Sequence, residues 1–513
     1  MTRAALPRPT LARARGFRKY IVGDTLRLTL ADAVRLMLLN NSSVRVEQQN
    51  VKQAQDAVTR AYAPFDPLFV SGFSPTRETQ PTFSQLSGAS TLSSLSQSAE
   101  TRFQQTFSTG AQLQTGLSAT RTSSNSIFNT FNPSVFSTLN ISLTQPLLRN
   151  FGRFVNRAPI VIAERNLDQS RLQFEEEIND SMLQAIRQYW QVVEDREQLQ
   201  VLQQSLRAAK ASYEYDQRAL QLGALSPLDI YQSEAEVATR RVAVIQAQYA
   251  LKQDEDQFRM LIGADLDAQA AALKLDLVEP SKPSKPLLKP HLKRLVQEAL
   301  ASRPDLKALE SQLQNTRTSL RVAQNRLQPD LSVTALYASN GLGGNELSST
   351  TPRTILAHGG IGDALGQVFG FGFPTYGVSV QLSLPLRNHE AEADLADARV
   401  AREQTLYTIR HSQEQVALDV KNAVNELEQA KLSMAAAQVA EHLAEKNVQA
   451  QQEEYELGSG LMFLVLQAQT QLAQAEASLV SAQVGYQLAV ATLEHATGGL
   501  LERFHVQIAR TVP

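Results

Sequence analysis

The longest uninterrupted pattern of apolar and polar positions lies in the last third of the chain. No proline or glycine occurs between Arg387 and Leu457, and apolar residues recur there at alternating spacings of four and three: Val416, Val420, Ala423, Leu427, Ala430, Met434 and Ala437. This heptad pattern predicts one helix of about seventy residues, roughly 100 Å long. The glycines around Ser459 interrupt it, and a second helix is predicted from about Leu461 to Thr497. Such a hairpin must pack on further copies, because it cannot bury its apolar positions alone.

A similar hairpin is predicted earlier in the chain. Helical periodicity runs from about Phe154 to Gln221 and resumes as far as Ile262. The residues between these helices suit a helix end followed by a helix start: Gly223 at C′, Ser226 at the N-cap, Pro227 at N1 and Asp229 at N3.

Two segments have a period of two instead, which predicts strands. The clearest alternations in the first half run over 111–118 and 139–144, with further strand candidates at Leu68–Ser74 and Thr101–Phe107. In the second half they run over 331–337 and 378–384. The intervening segments, Gln80–Ser98, Thr120–Ser134 and Asn340–Pro374, are rich in Ser, Thr, Asn or Gly and are predicted to be loops. A short helical segment, Leu28–Tyr62, precedes the first strands and is broken near Asn40, with Ser42 or Ser43 as an N-cap.

The order of these elements occurs twice. A shift of 262 positions places Pro67 on Pro329, a shift of 239 places Pro146 on Pro385, and a shift of 235 places Gly223 on Gly458. We interpret this as a tandem duplication of short helices, strands and a long helical hairpin. The predicted division is a basic tail (1–24); short helices, strands and hairpin of the first copy (25–65, 66–150, 151–263); a Pro-rich linker (264–290); the same elements of the second copy (291–328, 329–386, 387–498); and a C-terminal tail (499–513).

Composition excludes several classes of function. The chain has no cysteine, which rules out thiol catalysis and disulfides, and its net charge of −2 offers no basic field for nucleic acid. Its seven histidines are scattered, and no nucleophile–base or metal-ligand constellation is present. We therefore predict no enzyme activity, no cofactor and no metal. Residues 1–24 carry six basic residues without the apolar run of a signal peptide, so we expect a disordered tail or a start that lies further upstream.

The alternating strands suit a membrane β-barrel, with one apolar and one polar face. Two copies supply four clear strands, or six if 101–117 contributes a further pair. Either number is below the eight of the smallest membrane barrels, so several chains would have to share one barrel. The alternative is that the strands form one face of a soluble sandwich.

Several short motifs resemble those of the TolC family of outer membrane efflux proteins. They are Leu28-x-Leu-x-x-Ala33, Arg303-Pro304-Asp305-Leu306, Pro329-x-Leu331, Gln145-Pro146-Leu147, Leu222-Gly223-x-x-Ser226-Pro227-Leu228-Asp229, and Leu457-Gly458 followed by Val465-Leu466-Gln467-Ala468-Gln469. The resemblance covers roughly residues 25–500. It implies a mainly α protein with β strands: a homotrimer whose 12-stranded barrel, four strands per chain, lies in outer membrane lipid and continues as a periplasmic α-helical tunnel. It also implies a periplasmic adaptor (membrane fusion) protein and an inner-membrane pump as partners. The first strand region is longer than the family's simple hairpin, and the family's entrance carboxylates fall on Leu464 and Gln467 here.

Candidate site residues lie at the ends of the helical hairpins. Asp229, Leu461, Met462, Phe463, Leu464 and Gln467 form the predicted periplasmic entrance or constriction, and Gly223, Ser226, Gly458 and Gly460 the predicted adaptor-docking tips. The alternative is that the apolar residues only pack between helices, the glycines only form turns, and Asp229 only caps its helix. The predicted function is an exit duct of a tripartite efflux or type I secretion system, passing small molecules or polypeptide passively. A periplasmic coiled-coil scaffold or adaptor without a pore is the alternative.

Overall fold

The computed structural model describes residues 14–82, 89–223, 227–283, 287–350, 352–457 and 459–506. Its strands and α-helices are, in chain order, β1 (Ile21–Val22), β2 (Thr25–Leu28), α1 (Leu30–Asn40), α2 (Ser42–Ala61), β3 (Leu68–Pro81), β4 (Thr91–Thr106), β5 (Gln112–Ser124), β6 (Phe131–Pro146), α3 (Arg153–Gln221), α4 (Pro227–Ile262), α5 (Ala268–Ala272), β7 (Lys274–Leu277), α6 (Leu292–Ser302), α7 (Pro304–Arg326), β8 (Asp330–Leu347), β9 (Ile355–Ala357), α8 (Ile361–Phe369), β10 (Phe373–Ser383), α9 (His389–Glu456), α10 (Met462–Ala496) and α11 (Leu500–Arg503). Both long hairpins are confirmed. None of the described helices combines the length and apolar character needed to span a membrane.

The chain forms two compact units. The helical unit comprises Met1–Gln53, Asp168–Glu310 and Tyr407–Pro513. The sheet unit comprises Ala54–Leu167 and Ser311–Leu406. Each is described by itself below.

The first core of the helical unit surrounds a small sheet in the order β1-β2-β7. Strand β2 pairs with β7 in parallel, Leu26 opposite Leu275 and Leu28 opposite Leu277, and all four side chains are buried. Phe17, in the segment predicted to be a tail, is also buried in this core. The prediction of a disordered tail is therefore wrong for Phe17, and the segment predicted to be a Pro-rich linker contains strand β7. Prolines begin only at Pro280 in the linker, and the two strands lie far apart in sequence, so no local pattern linked them.

Glu279 follows β7 and ties this sheet to two helices. Its carboxylate accepts the backbone N–H of Leu30, at 2.9 and 3.0 Å, where α1 begins. It also accepts the hydroxyl of Tyr189, whose side chain is fully buried on α3. Burial, then the bond to Glu279, raises the pKa of the Tyr189 hydroxyl. The contact fixes the start of α1 against α3. The break between α1 and α2 was predicted, but its cap is the side chain of Asn41, which accepts the N–H of Ser43 at 2.8 Å.

The second core confirms the heptad pattern of α9. Val416, Val420, Ala423 and Leu427 are buried together with residues of α6, α7 and α10, and Ala430 and Met434 pack against them partly buried. The next heptad residue, Ala437, is only partly buried. A single chain therefore covers the first half of the heptad positions more fully than the second.

The motif beginning at Arg303 joins three helices of this unit. The Arg303 guanidinium binds both carboxylate oxygens of Asp305, at 3.1 and 2.7 Å, in the first turn of α7. It also lies 3.8 Å from Glu176 on α3 and 3.6 Å from Asp419 on α9. Because the Arg303 side chain is only 13% exposed, these pairs are shielded from water more than surface pairs are.

The sheet unit is a seven-stranded antiparallel sheet with the order β10-β8-β6-β5-β4-β3, and β9 pairs with the end of β8. Six of the strands are long, from 11 to 18 residues. This is two more long strands than the four per chain that the resemblance implies. The segments predicted to be loops contain the first half of β4, the end of β5, the start of β6, the end of β8, and α8. These segments are rich in Ser and Thr on both faces of the sheet, so apolar and polar residues do not alternate clearly along them. For this reason the sequence predicted loops.

The two faces of this sheet differ in polarity. The pairing registers place one continuous row of residues across all six long strands: Phe69, Phe103, Thr115, Ile141, Tyr337 and Tyr376. One neighbouring row on this face is apolar over Leu113, Leu143, Ala335 and Val378, and the other is mixed, with Leu117 and Leu139 between Thr101 and Ser339. The opposite face carries polar rows, such as Arg102, Gly116, Asn140 and Ala338, and Glu100, Ser118, Thr138 and Asn340.

Helix α8 packs on the apolar face where β10 stops pairing with β8. Strand β10 pairs with β8 only as far as Asn340. Beyond it, the side-chain amide of Gln367 bonds the backbone N–H and C=O of Leu342, both at 2.9 Å. A Cβ on Gly341 would lie 2.0 Å from the carbonyl oxygen of Ala364, so only glycine permits this approach. The helix thus satisfies a strand edge that the ladder leaves open.

Candidate functional site

The ends of the two hairpins meet within the helical unit, and we call residues 205–240 and 451–470 the helical tip. The first turn follows α3 at Gly223, whose φ of +76° lies in the left-handed region, as predicted for a C′ glycine. Helix α4 begins at Pro227, in agreement with its predicted N1 position. Ser226 and the side chain of Asp229 lie outside the described residues, so their predicted roles stay predictions.

The second turn is tighter. The N–H of Gly460 donates to the carbonyl of Glu454 at 2.9 Å. A Cβ on Gly460 would lie 2.8 Å from the backbone nitrogen of Tyr455, so the turn requires glycine for close approach. Gly458 lies outside the described residues. Leu461 is the N-cap residue of α10 and offers no side-chain hydrogen bond there.

The predicted apolar entrance residues are largely uncovered in one chain. Leu461 is 67% exposed, Phe463 57% and Leu464 38%, and Gln467 is also exposed. Met462 differs, because it is partly buried against a groove between α3, α9 and α10. Four of the five residues predicted from the second copy therefore share an exposed region at the start of α10, and Met462 points elsewhere.

The groove beside Met462 has a volume of 260 Å³. Two aromatic side chains line it, Tyr215 on α3 and Tyr455 on α9, with their rings 5.9 Å apart at an angle of 66°. An edge-to-face pair of this kind contributes about 0.5–1.5 kcal/mol beyond the burial of its area. The pair holds the end of α9 to the end of α3.

A buried carboxylate lies directly behind this aromatic pair. Asp216 is fully buried and accepts the hydroxyl of Tyr455 at 3.3 Å. It also accepts the hydroxyl of Ser233, which is itself buried on α4. One side chain of α3 thus bonds both the second helix of its own hairpin and the first helix of the other hairpin. Because a buried carboxylate is costly without such bonds, the three helices are held in one arrangement.

Among the described residues of the helical tip, Arg240 makes the largest set of polar contacts. Its side chain is only 7% exposed and pairs with Glu236 at 2.8 Å. It donates to the backbone carbonyls of Ser205 at 2.9 Å and Leu466 at 3.2 Å. It also donates to the side chains of Thr470 at 3.0 Å and Gln469 at 3.3 Å. The planar guanidinium therefore joins α3, α4 and α10.

Sequence reasoning did not find Asp216, Ser233, Arg240 or Tyr455. A signal was available in the comparison of the two copies. The shift of 235 that aligns the tips places Asp216 on Gln451 and Arg240 on Ala475. Where a charged residue of one copy aligns with a neutral residue of the other, within helices that otherwise match, the two copies have different roles at that position.

Across the described ranges, one group of side chains has the spacing of metal ligands. Glu176, Asp180 and His495 have ligand atoms within 4.8 Å of one another. His495 Nε2 lies 2.7 Å from Asp180, and Arg303 lies 3.8 Å from Glu176. Burial, then the charge of Asp305, raises the pKa of Glu176. We assign this group to the ion-pair network around Arg303, because that guanidinium already supplies a positive charge to Glu176.

Comparison with known proteins supports the fold. The chain resembles the outer membrane protein VceC of Vibrio cholerae, with a TM-score of 0.64 at 16% identity, covering 92% of this chain and 96% of VceC. It resembles the outer membrane channel CmeC of Campylobacter jejuni, with a TM-score of 0.63 at 15% identity, covering 97% and 94%. For the open state of the outer membrane channel MtrE of Neisseria gonorrhoeae, the TM-score is 0.62 at 16% identity, covering 92% and 89%. No curated protein matches the chain.

Family assignment rests on the sequence itself. The family model described as outer membrane efflux protein matches residues 108–264 and 295–499, which is most of the chain. Both long hairpins and the strands β5, β6, β8 and β10 lie in these ranges. The resemblance derived from short motifs is confirmed: the chain belongs to the outer membrane efflux protein family.

Proposed function

We propose that the protein is the outer membrane exit duct of a tripartite efflux or type I secretion system. It passes small molecules or polypeptide across the periplasm and outer membrane, and it has no chemistry of its own. Transport is powered by an inner-membrane pump, to which a periplasmic adaptor protein connects the helical tip. Three copies of the chain make up the duct.

The observation that carries this proposal is the division of the six-stranded part of the sheet into an apolar and a polar face. Each long strand has at least 11 residues, and a membrane-crossing strand needs about 9–11. A soluble sandwich would bury the apolar face against a second sheet. In the described part of the sheet unit α8 packs on that face near Ser339, and Phe69, Ile141 and Tyr376 of the apolar row are exposed. Lipid on one side and a water-filled lumen on the other fit both faces.

The helical tip fits an entrance that can be held closed. Asp216 and Arg240 fix the helices around the two turns through buried polar bonds. Leu461, Phe463 and Leu464 lie exposed beside them, and three copies would bring these apolar side chains together around the axis of the duct. A ring of this kind closes a narrow passage by excluding water. The two turns, at Gly223 and Gly460, would be the surface on which the adaptor docks.

The first test is the molar mass of the protein in detergent by light scattering, followed by conductance in a planar bilayer. The proposal predicts a mass three times that of the 56.5 kDa chain, and discrete channel events. A protein that is released into buffer without detergent and stays monomeric would contradict it. That result would favour the periplasmic scaffold without a pore.

A further inference from the structure

Strands β4 and β5 have the same features as the other strands of the sheet. Strand β4 pairs with β3 over 14 consecutive residue pairs and with β5 over 13. Strand β5 pairs in turn with β6 over 11. Since no register shift interrupts these three ladders, β4 and β5 belong to one continuous sheet with the strands around them.

The side chains of this pair also follow the two faces. Phe103, Leu113 and Leu117 lie on the apolar face, in rows with Phe69, Leu143 and Leu139. Arg102, Glu100 and Gln114 lie on the polar face. A hairpin folded back into solvent or into a lumen would have no need for an apolar face matched to its neighbours. The alternation therefore fits lipid on the same side for all six long strands.

The sheet has two unpaired long edges. Among the strands that the structure describes, β3 pairs only with β4 and β10 only with β8, and every residue of both strands is exposed in one chain. Six strands are too few to close on themselves, since the smallest membrane barrels have eight. In lipid, each unpaired N–H or C=O costs several kcal/mol, so the edges must find partners. An even number of strands per chain lets β3 of one copy pair antiparallel with β10 of the next. A second copy of this chain is therefore the occupant of each edge.

We propose that every chain contributes six strands to the shared barrel, so that a trimer closes a barrel of eighteen strands. This rests on the trimeric duct proposed above. The resemblance to the family implies twelve strands instead. With strands about 4.8 Å apart and tilted by about 40°, eighteen strands give a backbone diameter of about 36 Å, against about 24 Å for twelve. The backbone of the barrel in the membrane is then about 1.5 times wider. Beyond the end of β10, α8 covers the edge of β8 that β10 leaves open. The interface between copies is therefore limited to the length of β10.

The test uses single cysteines introduced by substitution. Because the chain contains no cysteine of its own, their labelling has no background. Leu117→Cys and Ser118→Cys report the two faces of β5, and Ile141→Cys and Ser142→Cys report the same faces of β6 as controls. The proteins are reconstituted into lipid vesicles and treated with a membrane-impermeant maleimide. We expect the cysteines at 118 and 142 to react at least tenfold faster than those at 117 and 141.

Two different failures are distinguishable. If the cysteine at 117 reacts as fast as that at 118 while the one at 141 stays protected, β5 is not a barrel strand and the six-strand proposal is wrong, although the duct stands. If the cysteine at 141 also reacts fast, the sheet does not meet lipid, and the proposed function fails with it.

A second measurement tests the edges. Phe69→Cys, Ser71→Cys and Phe73→Cys on β3 are each combined with Val378→Cys on β10 and treated with a short bifunctional thiol reagent. At least one pair should give a covalent product of three chains, and none of the single variants should. The absence of this product from all three pairs would overturn the pairing of β3 with β10 of the next copy.

Discussion

Arg240 offers the sharpest test of how the helical tip is held together. We consider Arg240→Leu, which keeps the aliphatic bulk of the side chain and removes its charge and donors. The neighbouring Arg241 is exposed, so Arg241→Leu is a matched control that removes the same charge from the same helix. Arg240→Lys keeps the charge but loses the planar arrangement of donors.

The magnitude follows from the contacts. Arg240 makes five hydrogen bonds in the described structure, one of them to the carboxylate of Glu236. Removing one partner of a buried ion pair costs about 3–5 kcal/mol. Glu236 is 28% exposed and can be rehydrated, so we expect about 3 kcal/mol, the low end of this range. At about 1.4 kcal/mol per factor of ten, local opening of α4 and α10 near Arg240 should become about a hundredfold more frequent.

Hydrogen exchange of the detergent-solubilised protein, followed by mass spectrometry, measures this opening directly. Peptides from the first half of α4 and of α10 should exchange about a hundredfold faster in Arg240→Leu. Exchange in Arg241→Leu should stay close to that of the parent, and Arg240→Lys should lie between them. Exchange in Arg240→Leu within threefold of the control would refute the reasoning, because it would mean that the five bonds contribute nothing net.

Three further predictions concern other parts of the helical unit. Burial, then the neighbouring carboxyl group of Asp254, raises the pKa of Asp195 to about 7, so the folded chain binds this proton more tightly than the unfolded chain. Its contribution to stability is complete below about pH 4 and is lost as the pH rises through 7. Asp195→Asn should therefore raise the free energy of unfolding more at pH 8 than at pH 5 and flatten the melting temperature between these pH values. Gly460→Ala should lower the free energy of unfolding by about 1–3 kcal/mol, because its Cβ would meet backbone atoms 2.8 Å away. Gly485→Ala is the control and should not lower it, because a Cβ at this position of α10 would enter open space. Equal melting temperatures of the two variants would contradict this prediction. Leu464→Ser should increase the conductance of the closed duct severalfold in a planar bilayer, and a conductance equal to that of the parent would exclude an apolar constriction at this position.

The sequence alone determined the two long helical hairpins and their duplication. Their signal is local and repeated: apolar residues at heptad spacing along α9, and turn residues such as Gly223 and Pro227 where the helices end. Backbone hydrogen bonds of a helix join residues four apart, so neighbours in sequence suffice to specify it. The same holds for the break between α1 and α2, although the cap proved to be Asn41.

Tertiary structure alone decided which distant segments meet. Strand β7 became a strand because β2, far away in sequence, lies beside it, and the first half of β4, predicted to be a loop, became part of a strand because β3 and β5 complete its ladders. The buried bonds of Asp216 and Arg240 likewise join helices of both copies. A strand or a buried charge is stabilised by residues that are distant in sequence, so a local pattern cannot predict them. The backbone hydrogen bonds of a helix join residues within the same helix.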